Sequence, residues 1–170
     1  LDNNRYLNGK LDEIRILNNS RSASWILTEY NNQKPSSTFT TLGSESCNGT
    51  CPSTACTPQS WYNSSWTYVK AITINASQVN GSHTNFPLLV RLATDSGLAA
   101  HAQADADDIL FTNSSNCTKL DHEIELYNST TGELVAWVRI PTLANTTNTT
   151  IYMYYGNSSV SSQQNSTGVW

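Results

Sequence analysis

Two segments within residues 132–156 alternate with a two-residue period. In residues 133–141, one face carries four apolar side chains: Leu134, Ala136, Val138 and Ile140. Residues 151–156 alternate in the same way, with one face formed by Ile151, Met153 and Tyr155 and the other by Tyr152 and Tyr154. A two-residue period predicts β-strands. Because apolar or aromatic residues occupy both faces of each segment, we expect these two strands near the middle of a sandwich.

Further short alternating segments occur from Trp61 onward, without a long helical pattern between them. The predicted strands are residues 66–74, 86–92, 108–112 and 120–127, with a loop or single helical turn at 96–100. About six short strands in succession are typical of an all-β fold. We therefore predict an antiparallel β-sandwich, jelly-roll-like, over residues 61–160.

Residues 1–33 form a separate predicted unit of one strand and one short helix. The strand, residues 11–16, has Ile14 and Ile16 on one face. The helix, residues 22–30, has Ser22 as its cap. Its buried side is predicted to contain Trp25, Ile26 and Tyr30. Since such a unit cannot bury a core alone, we expect it to pack on protein outside this domain, from a preceding segment or a neighbouring subunit.

Residues 34–60 are rich in Pro, Ser, Thr and Gly, which predicts a linker. Three of the four cysteines lie in it, Cys47, Cys51 and Cys56, and the fourth, Cys117, lies far along the chain. An even count in an exported chain predicts two disulfides. We expect one within residues 47–56 and one from that group to Cys117. The competing zinc site is disfavoured because no Cys-x2-Cys pair or nearby histidine is present.

The sequence contains twelve Asn-x-Ser/Thr triplets, which are acceptor sites for N-glycosylation. Their asparagines are Asn18, Asn48, Asn63, Asn75, Asn80, Asn113, Asn116, Asn128, Asn145, Asn148, Asn157 and Asn165. A chain rich in Ser and Thr forms some of these triplets by chance. The remaining density, together with the cysteines, predicts an extracellular or cell-surface glycoprotein.

Charge and hydropathy argue against binding to nucleic acid and against a membrane-spanning segment. Charged residues make up 13% of the chain and the net charge is -4, so a basic face for nucleic acid is not expected. The sequence also lacks an apolar run of about 18 residues, the length that crosses a membrane.

The densest acidic patch contains Asp105, Asp107 and Asp108. Oxygen ligands from one loop suit calcium, although the spacing is not that of an EF-hand. The alternative is a solvated turn in which an aspartate caps the next strand. No other cofactor is indicated.

No catalytic constellation is apparent. The chain has no Gly-x-Ser-x-Gly motif, and its histidines, His83, His101 and His122, are scattered. We interpret His122 as a packing or surface residue. A carboxylate pair for glycoside hydrolysis depends on spatial separation and stays open. Trp61, Trp66 and Tyr127 could form a sugar-stacking platform, although such residues more often cover the ends of a sandwich.

Six segments occur in the order found in the domain-of-unknown-function 2341 family, which the chain resembles over about a hundred residues. They are residues 66–74, 85–90, 108–111, 122–125, 136–141 and 151–157. Ala106 departs from the pattern, which tends to have Gly there. The resemblance implies a surface protein of archaea or bacteria with no assigned activity. It also implies that residues 161–170 are an extension where a next domain could start.

Residues 8–16, 21–26 and 30–33 resemble the C-terminal end of a concanavalin-A-like, laminin-G-type jelly roll. The implied order is this fragment at 1–33, the linker at 34–60, the sandwich at 61–160 and the extension at 161–170. Our leading hypothesis is a non-enzymatic structural module of a cell-surface protein or filament, with subunits of the same protein or neighbouring domains as partners. The alternative is a lectin-like adhesion module that binds glycans.

Overall fold

The computed structural model describes residue 16 and residues 20–34, 38–47, 61–115 and 118–170. In this part of the chain, the helices are α1 (Ala23–Gln33) and α2 (Ser96–His101), each longer than the two short 3-10 turns at Ala76–Gln78 and Ser166–Gly168. The strands are β1 (Thr40–Cys47), β2 (Tyr68–Ile74), β3 (His83–Leu92), β4 (Leu110–Thr112), β5 (Lys119–Leu120), β6 (His122–Asn128), β7 (Glu133–Leu143) and β8 (Thr149–Tyr155). None of the helices in the described residues has the length and apolar character needed to cross a membrane.

The strands form two antiparallel sheets. One sheet has five strands in the order β1-β2-β8-β4-β5, and the other has three in the order β3-β7-β6. Side chains from both sheets share one core, including Ile72 and Met153 from the first and Leu88 and Val138 from the second. The mostly β, sandwich-like architecture confirms the predicted all-β, antiparallel sandwich, while its jelly-roll-like character stays a prediction.

Strands β7 and β8 each occupy the middle of a sheet, as their two apolar faces predict. β7 lies between β3 and β6, and β8 lies between β2 and β4. The two strands belong to opposite sheets, and their inward side chains share the main core. On the outer face of β8, Tyr154 is buried in a second cluster with Trp66, Val69 and Leu110. Half-buried aromatic rings complete this second cluster: Trp61, Tyr62 and Tyr152.

Strand β1 corrects the prediction that residues 34–60 are a linker. Residues 40–47 pair antiparallel with β2, with a register shift between Leu42 and Glu45. Phe39, just before the strand, is buried in the main core. β1 is an edge strand whose outward side chains face water, so its polar composition conceals it. The remaining residues predicted as linker, 35–37 and 48–60, lie outside the described residues.

Helix α1 begins where predicted but buries a different side. Ser22 caps it, its hydroxyl oxygen accepting from Trp25 N at 3.2 Å. Trp25 is buried, whereas Ile26 and Tyr30 are 58% and 60% exposed, so the prediction for these two is wrong. Two polar residues, Thr28 and Asn32, occupy the buried side instead. They face hydrogen-bonding groups of the sandwich, which stabilises polar side chains there.

Helix α1 packs on the chain's own sandwich, so the prediction that it packs outside the domain is wrong. The Trp25 ring lies 5.1 Å from that of Phe86. Asn32 accepts from Leu89 N and donates to Pro87 O, both at 3.2 Å. This side chain therefore covers part of the outer edge of β3. The predicted strand at 11–16 lies outside the described residues except for Ile16, which is 95% exposed.

Residues 161–170 belong to the sandwich, which corrects their prediction as an extension. The backbone N of Asn165 donates to His122 O at 3.0 Å, and Gln164 Oε1 accepts from Ile124 N at 2.7 Å. Val169 is buried, and the Trp170 ring lies 5.4 Å from that of Trp137. The segment thus lies along the outer edge of β6 and is part of the same fold.

Candidate functional site: a polar cluster beneath helix α2

A buried ion pair lies at the centre of the described polar groups. Lys70, on the core-facing side of β2, places Nζ 2.5 Å from Asp95 Oδ1 and 2.6 Å from Oδ2. The two side chains are 9% and 4% exposed. Buried charges of opposite sign are normally retained only when paired, because desolvation is costly. Lys70 and Asp95 therefore hold each other in place.

Asp95 is positioned by the start of helix α2 and by a neighbouring turn. Its Oδ1 accepts from Leu98 N at 2.9 Å, so the residue caps the helix. Its backbone N donates to Thr131 O at 3.0 Å. Gly132 has a φ of +68°, and a Cβ there would collide with the Asp95 carbonyl oxygen. The turn and the helix cap together fix the Asp95 carboxylate against Lys70.

Glu45 and Tyr155 form a second pair beside the first. The Tyr155 hydroxyl donates to Glu45 Oε2 in a short hydrogen bond. Burial, followed by this hydrogen bond, raises the pKa of the Tyr155 hydroxyl. Gly97 brings the two pairs together: a Cβ there would lie 2.7 Å from the Tyr155 oxygen and 3.0 Å from Lys70 Nζ, and would collide with Glu45. Glycine is the residue whose size permits this approach.

His101 and Tyr68 form the outer wall of the cluster. His101 Nε2 lies 3.8 Å from Glu45 Oε1, and the side chains are 34% and 29% exposed. We use the name polar cluster for six residues: Glu45, Lys70, Asp95, Gly97, His101 and Tyr155. Its inner ion pair is shielded from water, while the carboxylate and imidazole at its mouth are accessible.

The sequence contained one unused signal for this site. Tyr68, Lys70, Ile72 and Ile74 share one face of β2, and the last three are buried. A lysine in a core-facing position requires a buried partner of opposite charge. That partner, Asp95, is distant in sequence, and Glu45 lay in the predicted linker, so the constellation could not be assembled from spacing.

The predicted calcium residues have other roles. Asp108 is fully buried, and its Oδ2 accepts from Gly156 N at 2.7 Å and Asn157 N at 2.9 Å. Its Oδ1 accepts from Gln103 N at 2.9 Å. Asp105 accepts from Asp107 N in a surface turn. Within the described residues, no group of three or more His, Cys, Asp or Glu side chains is arranged to hold a metal ion. Asp108 therefore connects the loop at Gln103 to the loop at residues 156–157 through hydrogen bonds.

Two histidines pack within the protein. His122 is fully buried, with Nε2 3.1 Å from Ile109 O and Nδ1 3.2 Å from Leu120 O. Burial lowers its pKa to about 4. His83 Nε2 lies 2.9 Å from Thr28 Oγ1 beneath α1, and burial also lowers its pKa. The sequence predicts that His122 is a packing or a surface residue, and the structure shows that it packs in the interior.

The aromatic residues considered as a sugar platform do not share one surface. Trp66 is buried, and its Nε1 donates to Asp108 O at 2.7 Å. Trp61 packs edge-on against Tyr154 at 5.4 Å. Tyr127 lies beneath α2, where its hydroxyl donates to Leu98 O at 3.0 Å and burial raises its pKa to about 12. These rings cover the core, as the alternative interpretation predicts.

Nine predicted glycosylation asparagines lie in the described residues, and most are at the surface. Six are exposed: Asn63, Asn80, Asn128, Asn145, Asn148 and Asn165. Asn75 and Asn113 are half-buried, and Asn157 is buried. Asn18, Asn48 and Asn116 lie outside the described residues, as do Cys51, Cys56 and Cys117. Cys47 ends β1 and is half-buried. Because the other three cysteines lie outside the described residues, the disulfide pairing stays a prediction.

A family model matches the C-terminal part of the chain. Residues 105–170 match a family model described as Domain of unknown function (DUF2341). The matched region contains β4 to β8 and the C-terminal segment that lies along β6. No curated protein and no solved structure matches the chain. The resemblance of residues 1–33 to a jelly-roll fragment receives no support from these comparisons.

Proposed function

We propose that this chain is a non-enzymatic, N-glycosylated structural module of a prokaryotic, archaeal cell-surface protein or extracellular filament. The observation that carries the proposal is the placement of the acceptor asparagines. In the part of the chain that the structure describes, most of them occupy turns and strand ends around the sandwich, and few of their amide nitrogens, the atoms to which a glycan is attached, make a hydrogen bond.

Local hydrogen bonds in these turns use the amide oxygen and spare the nitrogen. Asn63 Oδ1 accepts from Ser65 N, and Asn128 Oδ1 accepts from Thr130 N, both at 2.9 Å. Asn75 Oδ1 accepts from Ser77 N at 3.0 Å. Such turns leave Nδ2 able to carry a sugar. By contrast, Asn32, which is outside any acceptor triplet, uses both its oxygen and its nitrogen in the fold.

Two acceptor sites are exceptions. Asn157 is 6% exposed, and its backbone N donates to Asp108. Asn165 Nδ2 donates to Asp121 Oδ1 at 2.7 Å. A glycan at either asparagine would disturb an existing contact, so we expect lower occupancy there than at Asn63 or Asn128.

The side chains of the polar cluster are already bound to one another, which supports the non-enzymatic part of the proposal. Lys70 and Asp95 are bound to each other, and Tyr155 is bound to Glu45. In the described residues, this cluster presents no serine or cysteine nucleophile beside a base. Its groups are arranged to hold β1, β2, β8 and α2 together.

The edges of the sheets favour lateral contacts at β1. The outer edge of β3 is partly covered by Asn32, and that of β6 by residues 164–165. The five-stranded sheet ends in β1 on one side and in the two-residue β5 on the other, so β1 is its longer edge. An edge strand can pair with a strand from another chain. We therefore assign β1 as the contact for a neighbouring subunit or domain.

The family relationship extends, in this proposal, from residues 105–170 to residues 61–170. Strands β2 and β3 are needed to complete the two sheets that the matched residues begin. A jelly-roll origin of residues 1–33 is a separate hypothesis. The full-length gene would test it, because a preceding jelly-roll domain would be visible there.

Glycopeptide mapping of the natively produced protein tests the proposed function. We expect sugar on peptides that contain Asn63, Asn80 and Asn128. Unmodified peptides at all exposed acceptor sites would contradict the proposal. The same experiment on Asn157 and Asn165 measures whether folding limits occupancy.

The alternative function, a lectin-like adhesion module, rests on the half-buried rings of Trp61 and Tyr62 beside Tyr154. Aromatic faces can stack on sugars, although these rings pack on one another. A glycan-array screen with the folded chain separates the two functions. Binding to a defined sugar that is lost in Tyr62→Ala would favour the lectin.

A further inference from the structure

We infer that Lys70 and Asp95 form an intramolecular amide bond that links the two sheets covalently. The inference rests on the contact between the amine and the carboxylate, on their burial, and on a second carboxylate beside them. It is independent of the proposed function, because the reaction needs only groups within this domain.

The reacting atoms are already in contact. Lys70 Nζ lies 2.5 Å and 2.6 Å from the two carboxylate oxygens of Asp95. Charge-assisted N–H···O bonds usually measure about 2.7–2.9 Å, so this approach is closer than an ordinary ion pair. Attack on the carboxyl carbon requires the amine to lie above the plane of the carboxyl group, which rotation about the Asp95 Cβ–Cγ bond would bring about. Proximity of this kind replaces much of the entropic cost of a bimolecular condensation.

The reaction requires the neutral forms of both groups. Only an unprotonated amine is nucleophilic, and only a protonated carboxyl group loses its oxygen as water. The side chains of Lys70 and Asp95 are shielded from solvent, and the Tyr155 ring centroid lies 5.9 Å from Nζ. An ion pair removed from water loses hydration energy. Transfer of one proton from Lys70 to Asp95 removes both charges and gives the reactive amine and acid.

Glu45 is the second carboxylate near Lys70, and its own hydrogen bond is to the Tyr155 hydroxyl. Its carboxylate, Lys70 Nζ and the Tyr155 oxygen all border the space where a Gly97 side chain would lie. The amine lone pair attacks Asp95 Cγ and gives a tetrahedral intermediate. Glu45, after moving from the Tyr155 hydroxyl toward Nζ, accepts a proton from the nitrogen and returns it to the departing hydroxyl group. One N–C bond forms, one C–O bond breaks, and one water leaves, with no oxidant or reductant required.

The position of the bond gives it a mechanical effect. Lys70 lies on β2 of the five-stranded sheet, and Asp95 follows β3 of the three-stranded sheet. An amide between them would tie the sheets directly and close a covalent ring around residues 70–95. Cross-links act by restricting the unfolded chain, as disulfides do. The linked sandwich could therefore not open fully while its main chain and this bond remained intact.

Intact mass spectrometry of residues 1–170, produced without glycans and fully reduced, tests the inference. We expect a mass lower than that of the sequence by one water molecule. Proteolysis should give one branched peptide that joins the segments around Lys70 and Asp95. A full sequence mass, with the two segments recovered as separate linear peptides, would overturn the inference.

Three variants identify the groups responsible. Lys70→Arg keeps the positive charge but removes the nucleophile, so the water loss should disappear. Lys119→Arg makes the same change at an exposed lysine and should retain it. Glu45→Gln should fold with the ion pair intact and show the full mass or a slow decrease. Loss of water that persists in Lys70→Arg would assign the dehydration to another site and overturn the inference.

Discussion

The imidazole ring of His101 lies parallel to the phenol ring of Tyr68, with centroids 3.9 Å apart and planes inclined by 10°. This stack closes the outer side of the polar cluster. It leaves the Glu45 carboxylate as the acidic group of the cluster with most access to water, because Asp95 lies behind it. The cluster therefore has an accessible acid–base group and a shielded ion pair.

Trp25→Ala should destabilise the isolated chain strongly. The indole packs against Phe86 and beside His83 in the main core. Removing a buried aromatic ring typically costs about 3–5 kcal/mol. Urea unfolding at neutral pH measures the change. Ile26→Ala is the matched control, since this neighbour is exposed and should change the stability by about 0.5 kcal/mol or less. Equal effects of the two variants would contradict the docking of α1.

His122 should make the protein less stable as the pH falls from 7.5 to 5. Its pKa is about 4 in the folded state, against 6.5 for an unperturbed histidine, so the unfolded state binds more protons in this window. Stability is fully present above pH 6.5 and decreases toward pH 4, by about 2 kcal/mol at pH 5.

Urea unfolding at the two pH values, compared between the wild type and His122→Asn, isolates the histidine contribution. The variant should show a smaller loss of stability on acidification, although it starts from a lower value. His83, whose pKa is lowered in the same direction, remains in both proteins. An identical pH dependence in the two proteins would show that His122 does not titrate in this way.

Asp108→Ala should destabilise the sandwich by about 3 kcal/mol or more, because three backbone N–H groups lose a charged acceptor. Asp108→Asn keeps one oxygen and should cost less. Asp107→Ala, in the adjacent surface turn, is the control and should have little effect. Thermal melts with and without calcium test the alternative role of Asp105, Asp107 and Asp108 as calcium ligands. A Tm that rises with calcium in the wild type and not in Asp107→Ala would restore the metal hypothesis.

The predicted disulfides are one within residues 47–56 and one that joins this group to Cys117. The long link should contribute roughly 4 kcal/mol, and the short one less, because stabilisation grows with the length of the closed loop. Non-reducing peptide mapping checks the pairing. A free thiol at Cys117 would contradict the prediction.

The central strands could be predicted from sequence because their side chains alternate with the two-residue period of a β-strand. β7 and β8 carry apolar residues on both faces, and residues on both faces of each strand are buried in the structure. β1 could not be found in this way, since its outward face is polar and its stability comes from backbone pairing with β2.

Helix α1 shows a second limit. Its apolar residues Ile26 and Tyr30 suggested the wrong face, because the true contact combines one large ring with two polar side chains. The polar cluster combines residues from β1, β2, both ends of α2 and β8. Only the three-dimensional register brings Glu45, Lys70 and Asp95 together.

The side chain of Asn32 presents β3 with one donor and one acceptor, which is what a peptide group of a neighbouring strand would present. While α1 is docked, another molecule that approached this edge would have to displace that amide before adding a strand. The helix therefore blocks strand addition at β3, so two of these sandwiches could pair through their β1 edges but could not build a longer chain through β1 and β3. Undocking α1 would convert a one-sided building block into a two-sided one.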